Sequence, residues 1–309
     1  MDKRQHKSVI VLDENMNVTQ DYVLKEGEEV KIEKKNKTLT PKQKHFINRQ
    51  NNFKKHCDNL GGYIHMIYCK NELLFNSINI DKANISRIIY LATYVDYDNR
   101  KEGLLCVRVK DNKLEPMNRK TMQVLLKLGD TAFKKFLSDV KNNNLMYEVD
   151  KKFYVNTEYF NKGEIINIDE NKSYCRLFIN PIRNLYEGCK PTKHKVLSSV
   201  YQLVPYIHIR SNALCLNPYE YNEEPEKMDS NTLCDLLNVG SDKGQRSRFI
   251  KELYTFTVTV NKKEYQLFSY VKVVSEKIDF YFVNPYVLYG GSDEKYMKQV
   301  AKDYFFKKL

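Results

Sequence analysis

Two short segments of the chain concentrate side chains whose chemistry suits contact with duplex DNA. The first is TAFKKFLSDVK, and its candidate DNA-binding residues are Thr131, Lys134, Lys135, Ser138 and Lys141. The second is KGQRSRFIK, and its candidate residues are Lys243, Gln245, Arg246, Ser247, Arg248 and Lys251. Arg and Gln can form bidentate hydrogen bonds with guanine and adenine edges, whereas Lys binds phosphate as a point charge. The second segment therefore predicts base reading, and the first predicts phosphate binding.

Each segment is followed by a predicted β-hairpin that carries two lysines at its turn. In the first hairpin, LMYEV and FYV flank the turn DKK; in the second, TFTVTV and YQLFSYVKVV flank NKKE, and IDFYFV adds a strand. We expect the turn lysines to reach flanking phosphates or a minor groove. They are Lys151, Lys152, Lys262 and Lys263.

The elements around the first segment predict a winged helix-turn-helix. A short amphipathic helix, NRKTMQVLLKLGD, ends in a turn at Gly129, and Thr131 is the predicted N-cap of the next helix. That next helix has one apolar stripe at helical spacing, formed by Phe133, Phe136, Leu137 and Val140. ISRIIYLATYV supplies a first helix upstream, and in this fold the second helix of the helix-turn-helix enters the major groove.

The same order occurs a second time in the chain. KVLSSVYQLVPYI, NTLCDLLNV, Gly240 and SDKGQRSRFIKEL repeat the helix, helix, glycine turn and helix of the first copy. Matched positions include Leu91 with Leu203, Met117 with Met228, Leu126 with Leu237, Phe136 with Phe249, and Val155-Asn156 with Val283-Asn284. The spacing between matched positions stays between 111 and 113 up to the second helix of each motif and grows to 128 at the hairpin, which predicts a longer wing. One pair disagrees, because apolar Phe133 aligns with Arg246.

The predicted fold class is α+β, mainly helical, with tandem winged helix-turn-helix domains and a small β-containing N-terminal extension. The predicted domains are 1–85 (strands plus a basic helix), 86–165 (first winged helix), 166–175 (linker) and 176–309 (second winged helix, with a long wing and a C-terminal helix). In the extension, SVIVL, DYVL and EVKI predict strands. Thr40-Pro41 predicts the start of a helix that ends at Gly61-Gly62 and turns Phe46, Phe53 and Leu60 inward.

Composition indicates the class of partner. The chain has 309 residues, 51 Lys and Arg against 39 Asp and Glu, and a formal net charge of +12, which favours polyanions. No apolar run is long enough to span a membrane, and the N-terminus lacks the pattern of a secretory leader. The seven cysteines form no CxxC pair, which is typical of reduced thiols. We therefore expect a cytoplasmic protein that binds no membrane.

Enzymatic interpretations have little support in the sequence. There is no GxxxxGK[ST], GxSxG or HExxH motif, and YIHMIYCK and YIHIR each lack the second histidine of a nickase motif. His56, Cys57, His65 and Cys69 do not have the spacing of zinc ligands. The prediction is a protein that is not an enzyme and has no catalytic residue, metal or cofactor.

Several sequence segments resemble those of helix-turn-helix proteins carried by phages and prophages of low-GC Gram-positive bacteria. These segments are RLFINPIRNLYEG, TKHKVLSSVYQLVPYI, NALCLNPYE and MDSNTLCDLLNVG. FYVNTEYFNKG and FYFVNPYVLYGG are similar to the strand-and-exit signature of winged-helix plasmid replication initiators of the RepL type. The resemblance covers roughly residues 86 to 290 and implies a DNA-binding winged helix with no catalytic residues. It also implies a bacterial host cell, in which the protein would associate with the nucleoid.

Together these patterns predict a sequence-specific duplex DNA-binding protein of a phage or plasmid, either a transcription regulator or a replication initiator. Two unlike copies in one chain predict a bipartite, non-palindromic site, and a homodimer would read a longer array. One alternative stays open at this point: a winged-helix adaptor that binds polymerase or replication proteins and has only weak DNA affinity.

Overall fold

The computed structural model describes residues 8–12, 18–23, 40–70, 72–96, 103–109, 111, 113–163, 165, 169–220, 223–226, 228–273, 278–291 and 293–305. The chain divides into two compact units, Met1–Phe46 and Ile47–Leu309. The fold is mixed α and β, with helices and small antiparallel sheets.

In the described chain, groups of helices are separated by short strands. The helices are α1 (Pro41–Asn59), α2 (Lys82–Ala92), α3 (Arg119–Leu126), α4 (Asp130–Asn142), α5 (Ile179–Gly188), α6 (His194–Gln202), α7 (Ser230–Leu236), α8 (Lys243–Leu253) and α9 (Glu294–Phe305). The strands are β1 (Ser8–Leu12), β2 (Val18–Val23), β3 (Tyr63–Cys69), β4 (Cys106–Arg108), β5 (Leu114–Pro116), β6 (Met146–Val149), β7 (Lys152–Val155), β8 (Phe160–Asn161), β9 (Lys172–Phe178), β10 (Thr257–Val260), β11 (Lys263–Gln266), β12 (Phe268–Val273), β13 (Ile278–Val283) and β14 (Leu288–Tyr289).

The first unit contains an antiparallel pair, β1 and β2, so the strand predicted at SVIVL is confirmed. The strand predicted at DYVL begins earlier, at Val18, and the one predicted at EVKI lies outside the described residues. Helix α1 begins as its sequence predicts. The Thr40 Oγ1 accepts a hydrogen bond from Gln43 N at 3.2 Å, and the Gln43 Oε1 accepts one from Thr40 N at 2.9 Å. These two bonds form a reciprocal capping box.

The C-terminal end of α1 also agrees with the sequence, because Gly61 and Gly62 end it with φ values of +83° and +79°. Leu60 is buried and Phe53 is half-buried. Phe46, in contrast, is 54% exposed, so the prediction that it turns inward is wrong.

A four-stranded antiparallel sheet lies at the centre of the second unit, in the order β14-β9-β3-β8. The middle strands pair along their full length, and His65 lies opposite Arg176. In the outer pairs, Met66 faces Phe160 and Leu177 faces Leu288. No strand was predicted at YIHMIYC, which forms β3. Residues 166–175 were predicted as a linker, but Lys172–Cys175 belong to β9, so the predicted end of the linker is wrong.

Backbone hydrogen bonds join equivalent positions in the two segments that the sequence matched. We define the first repeat as β3 to β8 and the second as β9 to β14. The segment that follows α2 in the first repeat and the segment that follows α6 in the second each pair with a hairpin strand through two equivalent bonds. The donors and acceptors are Leu105 N to Phe153 O (2.9 Å) and Val155 N to Gly103 O (2.9 Å) in the first repeat, and Leu214 N to Tyr281 O (2.7 Å) and Val283 N to Asn212 O (3.1 Å) in the second.

The asparagines that follow these strands are equivalent as well. Asn156 N donates to Leu145 O, and Asn284 N donates to Leu267 O, both at 2.9 Å. Each asparagine Oδ1 then accepts a hydrogen bond from the backbone N–H two residues later, at 2.9 Å. The matched Val-Asn dipeptides of the sequence therefore occupy the same place in the two repeats.

The pairing of β3 with β9 fixes how the two repeats are related. Residues that face each other in an antiparallel pair are exchanged by a local two-fold axis. His65 pairs with Asn161 of β8 in the first repeat, and Arg176 pairs with Tyr289 of β14 in the second, so His65 and Arg176 hold equivalent positions. These two residues also face each other in the β3–β9 pair. A pseudo-two-fold axis therefore passes between them, and the outer pairs, in which β8 and β14 play equivalent roles, obey the same symmetry.

The matched helices α2 and α6 of the two repeats pack against each other close to this axis. Helices α2 and α6 form the most extensive helix–helix contact, and the buried Ser86 Oγ donates to His194 O at 2.9 Å. One apolar cluster, which includes Ile88 and Val200, continues through both repeats. Burial of this shared cluster holds the repeats together in one compact unit.

Candidate nucleic-acid interface

Helix α4 presents the polar face that its sequence predicts. Phe133, Phe136, Leu137 and Val140 are buried, so the opposite face is turned outward. Of the candidate residues, Thr131, Lys134, Lys135 and Ser138 are exposed. No ion pair links Lys134 to any residue in the described part of the chain, which leaves its ammonium group available to an anion.

Two details of α4 differ from the prediction. The helix begins at Asp130 with Gly129 as the N-cap and no capping side chain, so Thr131 is an exposed residue of the first turn and not the cap. Lys141 Nζ lies 2.6 Å from Glu148 Oε2 and 5.6 Å from the centre of the Phe153 ring. Because this ion pair is half-buried, Lys141 is committed to packing α4 against the hairpin.

Helix α8 is more exposed than α4. Asp242 caps it, since its Oδ1 accepts a hydrogen bond from Gln245 N at 2.7 Å, and Leu253 is its one buried residue. The candidate residues Lys243, Gln245, Ser247, Arg248 and Lys251 are exposed. Arg248 Nε donates only within its own helix, to Gly244 O at 3.3 Å, which leaves the tip of the guanidinium group open to solvent.

Arg246 has a structural role, which corrects its assignment as a base-reading residue. Its Nε donates to Gly240 O at 3.0 Å, Nη1 donates to Asn231 Oδ1 at 3.3 Å, and Nη2 forms an ion pair with Asp235. Its side chain is 18% exposed. These bonds join α8 to α7 and to the turn between them. Arg246 therefore holds α8 in place from the position at which Phe133 is buried beneath α4 in the first repeat. This role explains why an arginine aligns with a phenylalanine.

A cleft of about 620 Å³ lies beside α8, between α8, α6 and the end of α7. Lys82, Lys195 and Arg248 line it together with one carboxylate, Glu252. Lys82 Nζ donates to Leu237 O at 3.0 Å, and burial, followed by the nearby Lys195, lowers its pKa. The positive charge of α8 therefore continues into the groove at its side.

Sequence reasoning did not identify Lys82 and Lys195 as members of this surface. Each lies in the first turn of its helix, α2 or α6. The sequence did contain one indication of their relation, because each lysine stands at the start of a matched helix. Their proximity, however, depends on the packing of α2 on α6, which only the structure shows.

The turn of the first hairpin carries its lysines at an exposed tip. Asp150 and Lys151 have φ values of +49° and +61°, and together they form a two-residue turn between the paired Val149 and Lys152. Both lysines are exposed, as predicted.

The second lysine pair lies on a different kind of hairpin. The predicted long strand YQLFSYVKVV is interrupted at Leu267, and two separate hairpins, β10–β11 and β12–β13, replace the single long wing. The two equivalent backbone hydrogen bonds described above involve β7 in the first repeat and β13 in the second, so β12–β13 is the counterpart of the first hairpin, β6–β7. Lys262 and Lys263 lie instead at the turn of β10–β11, which packs against α5.

The histidines and cysteines singled out in the sequence do not form a metal centre. Across the described residues, no three His, Cys, Asp or Glu side chains are close enough together to hold a metal ion. His56 Nδ1 lies 3.9 Å from Glu294 Oε1, and burial raises the pKa of the Cys57 thiol to about 12. Among the described helices, none is long and apolar enough to cross a membrane.

Comparison of the chain with family models, with curated proteins and with solved structures finds no match.

Proposed function

We propose that each repeat is a winged helix-turn-helix and that the chain binds duplex DNA in a sequence-specific way, as a phage or plasmid transcription regulator or replication initiator. The observation that supports this most directly is the pair of equivalent exposed helices, α4 and α8. Each is the second helix of a helix–turn–helix and presents polar and basic side chains to solvent. A helix of this kind in the major groove reads base edges.

The two helices have different parts in this proposal. Helix α8 reads bases through Gln245 and Arg248, and Lys82 and Lys195 beside it contact the backbone. Helix α4 contributes Lys134 and Lys135, which bind phosphates and fix the register of the first repeat on the duplex, and its exposed Thr131 and Ser138 contact base edges.

The pseudo-two-fold axis sets the form of the DNA site. Two reading helices exchanged by a two-fold axis meet half-sites in inverted orientation. Their side chains differ, so the two half-sites differ in sequence. The proposed site is therefore inverted in geometry but not palindromic in sequence.

The two lysine turns allow a matched experiment. Lys151→Ala/Lys152→Ala removes two charges from the first hairpin, and Lys262→Ala/Lys263→Ala removes two charges from the hairpin that packs on α5. Duplex affinity is measured by fluorescence anisotropy across a salt series. We expect the first double variant to lower the salt slope by about two phosphate contacts and the second to leave it nearly unchanged. Equal changes in both would reduce the effect to net charge alone, and salt-independent binding would contradict DNA recognition.

A further inference from the structure

The outer face of the first hairpin carries exposed apolar side chains, with Lys152 at its edge opposite Val149. Tyr147 on β6 is 45% exposed and Val149 is 50% exposed. The ring of Tyr147 stacks on that of its cross-strand partner Tyr154, with centroids 5.2 Å apart and planes 5° apart. Exposed apolar side chains that lie side by side mark surfaces that other molecules cover.

The internal repeat identifies the same face in the second hairpin. Leu104 pairs with Tyr154 in the first repeat, and Ala213 pairs with Phe282 in the second. Phe282 is therefore the counterpart of Tyr154, and its cross-strand partner Ser269 is the counterpart of Tyr147.

In the second repeat a helix covers this face. Tyr304 of α9 stacks on Phe282, with ring centroids 4.0 Å apart and planes 12° apart, and Ser269 Oγ donates to Tyr304 O at 2.7 Å. Helix α9 also buries Met297 and Val300. Ser269 and Phe282 are consequently 8% and 5% exposed.

Among the described residues of the first repeat, no helix follows β8, and the next element along the chain is the central strand β9. The side chains of its outer face are larger and more apolar than a solvated hairpin requires, since Tyr147 stands where the covered hairpin has a serine. Leaving this face in water costs the free energy that burial of the same face recovers in the second repeat.

We propose that the outer face of β6–β7 is a docking site for an amphipathic helix of another protein, which covers Tyr147, Val149 and Tyr154 as α9 covers its own hairpin. The docked helix presents aliphatic side chains and an aromatic ring, as α9 does with Val300 and Tyr304. Lys152 lies opposite Val149 on this face, so the docked helix also contacts Lys152, whereas Lys151 stays outside the covered face at the tip of the turn.

The test uses the full chain with p-benzoylphenylalanine in place of Tyr147, irradiated in cells that carry the gene. The matched control carries the same photoreactive residue at Leu216, a residue that is 40% exposed in the second repeat. Mass spectrometry then identifies the crosslinked peptide. We expect peptides from an amphipathic helix of a different protein at position 147 and not at position 216.

A second variant, Val149→Glu, keeps the photoreactive residue at position 147 and places a charge in the middle of the face. We expect the crosslink yield to fall about tenfold or more, because a docked helix would have to bury the carboxylate against apolar side chains. The melting temperature should stay within about 2 °C of the parent, as for other surface substitutions. Crosslinks only to nucleic acid, only to a second copy of this chain, or at the level of the Leu216 control would each overturn the proposal.

Discussion

Arg246 and Arg248 are two residues apart on the same helix, yet the structure gives them opposite roles. Replacement of each by alanine therefore separates a packing function from a DNA-binding function. Arg246→Ala removes three hydrogen-bond donors that join α8 to Gly240, Asn231 and Asp235. Arg248→Ala removes an exposed guanidinium group whose one described hydrogen bond lies within α8.

The expected loss of stability on Arg246→Ala follows from the exposure of its partners. Hydrogen bonds to a charged group contribute ~1.5–3 kcal/mol when they are buried. Asp235 is 65% exposed, so water replaces much of what the ion pair supplies, and a pair of this kind contributes less than ~1 kcal/mol. We therefore expect the free energy of unfolding to fall by about 1–2 kcal/mol, which corresponds to a decrease in Tm of roughly 3–6 °C.

The expected effect of Arg248→Ala is on DNA alone. Loss of a base-reading arginine weakens the specific complex by ~1–3 kcal/mol, and the Tm should change by less than about 1 °C because the side chain is exposed. Arg246→Ala, assayed at about 20 °C where it is folded, should bind DNA within about threefold of the parent chain, as expected for a residue that does not touch the duplex.

Thermal unfolding followed by circular dichroism and duplex binding followed by anisotropy give the two readouts for both variants. The assignment of roles is wrong if Arg246→Ala keeps the parent Tm and loses DNA binding. It is equally wrong if Arg248→Ala lowers the Tm as much as Arg246→Ala does.

Three further predictions concern stability. Asp229 caps α7, and hydrogen bonds from Thr232 lower the pKa of its carboxyl group. The stabilisation from this cap is therefore present above the unfolded pKa and is lost as pH falls through the folded pKa. Asp229→Ala should cost ~0.5–2 kcal/mol at neutral pH and flatten the pH dependence of Tm below about pH 4. Burial, followed by the positive charge of Arg87, lowers the pKa of His194 to about 4. Because the unfolded state then binds a proton more readily than the folded state, the free energy of unfolding should fall between about pH 6.5 and 4. In urea unfolding titrations, His194→Phe should reduce the slope of this free energy against pH by at most about 1.4 kcal/mol per pH unit. Gly103 has a φ of +77°, and a Cβ there would lie 2.3 Å from Val155 O, so Gly103→Ala should lower the free energy of unfolding by about 1–3 kcal/mol. At Gly129 a Cβ meets no atom within 4 Å, so Gly129→Ala should cost less, about 1 kcal/mol or below, from the poorer N-cap of α4.

Local patterns allowed much of the fold to be predicted. The capping box at Thr40 and Gln43, the apolar stripe of α4 and the turn at Asp150 depend on neighbours within four residues, and each forms as its sequence indicates. The repeat was also visible, because Val155-Asn156 and Val283-Asn284 hold equivalent places in the hydrogen-bond network.

Long-range pairing was not predictable in the same way. YIHMIYC is largely apolar and does not alternate, and the periodicity of such a short run does not separate a buried strand from a buried helix. Its partner β9 lies about a hundred residues away and carries a mixed sequence that suggested a linker. The central sheet and its pseudo-two-fold axis therefore became visible only in the structure.

The candidate site was predicted in outline and corrected in detail. Exposure of Lys134 and Arg248 follows from helical periodicity, which the sequence contains. The engagement of Lys141 with Glu148 and of Arg246 with Asp235 depends on how neighbouring elements pack, which single-sequence patterns do not contain. The extra hairpin that carries Lys262 was hidden because both hairpins of the second repeat have the alternation of one long wing.

Selection from a random duplex library, followed by binding of the selected and a scrambled sequence at matched salt, tests the central proposal most directly. The proposal predicts two unlike half-sites in inverted orientation, with centres about one helical turn apart or a small multiple of it. It also predicts a preference of ~10³ or more over scrambled DNA. Absence of any motif, with equal affinity for both sequences at every salt concentration, would contradict it.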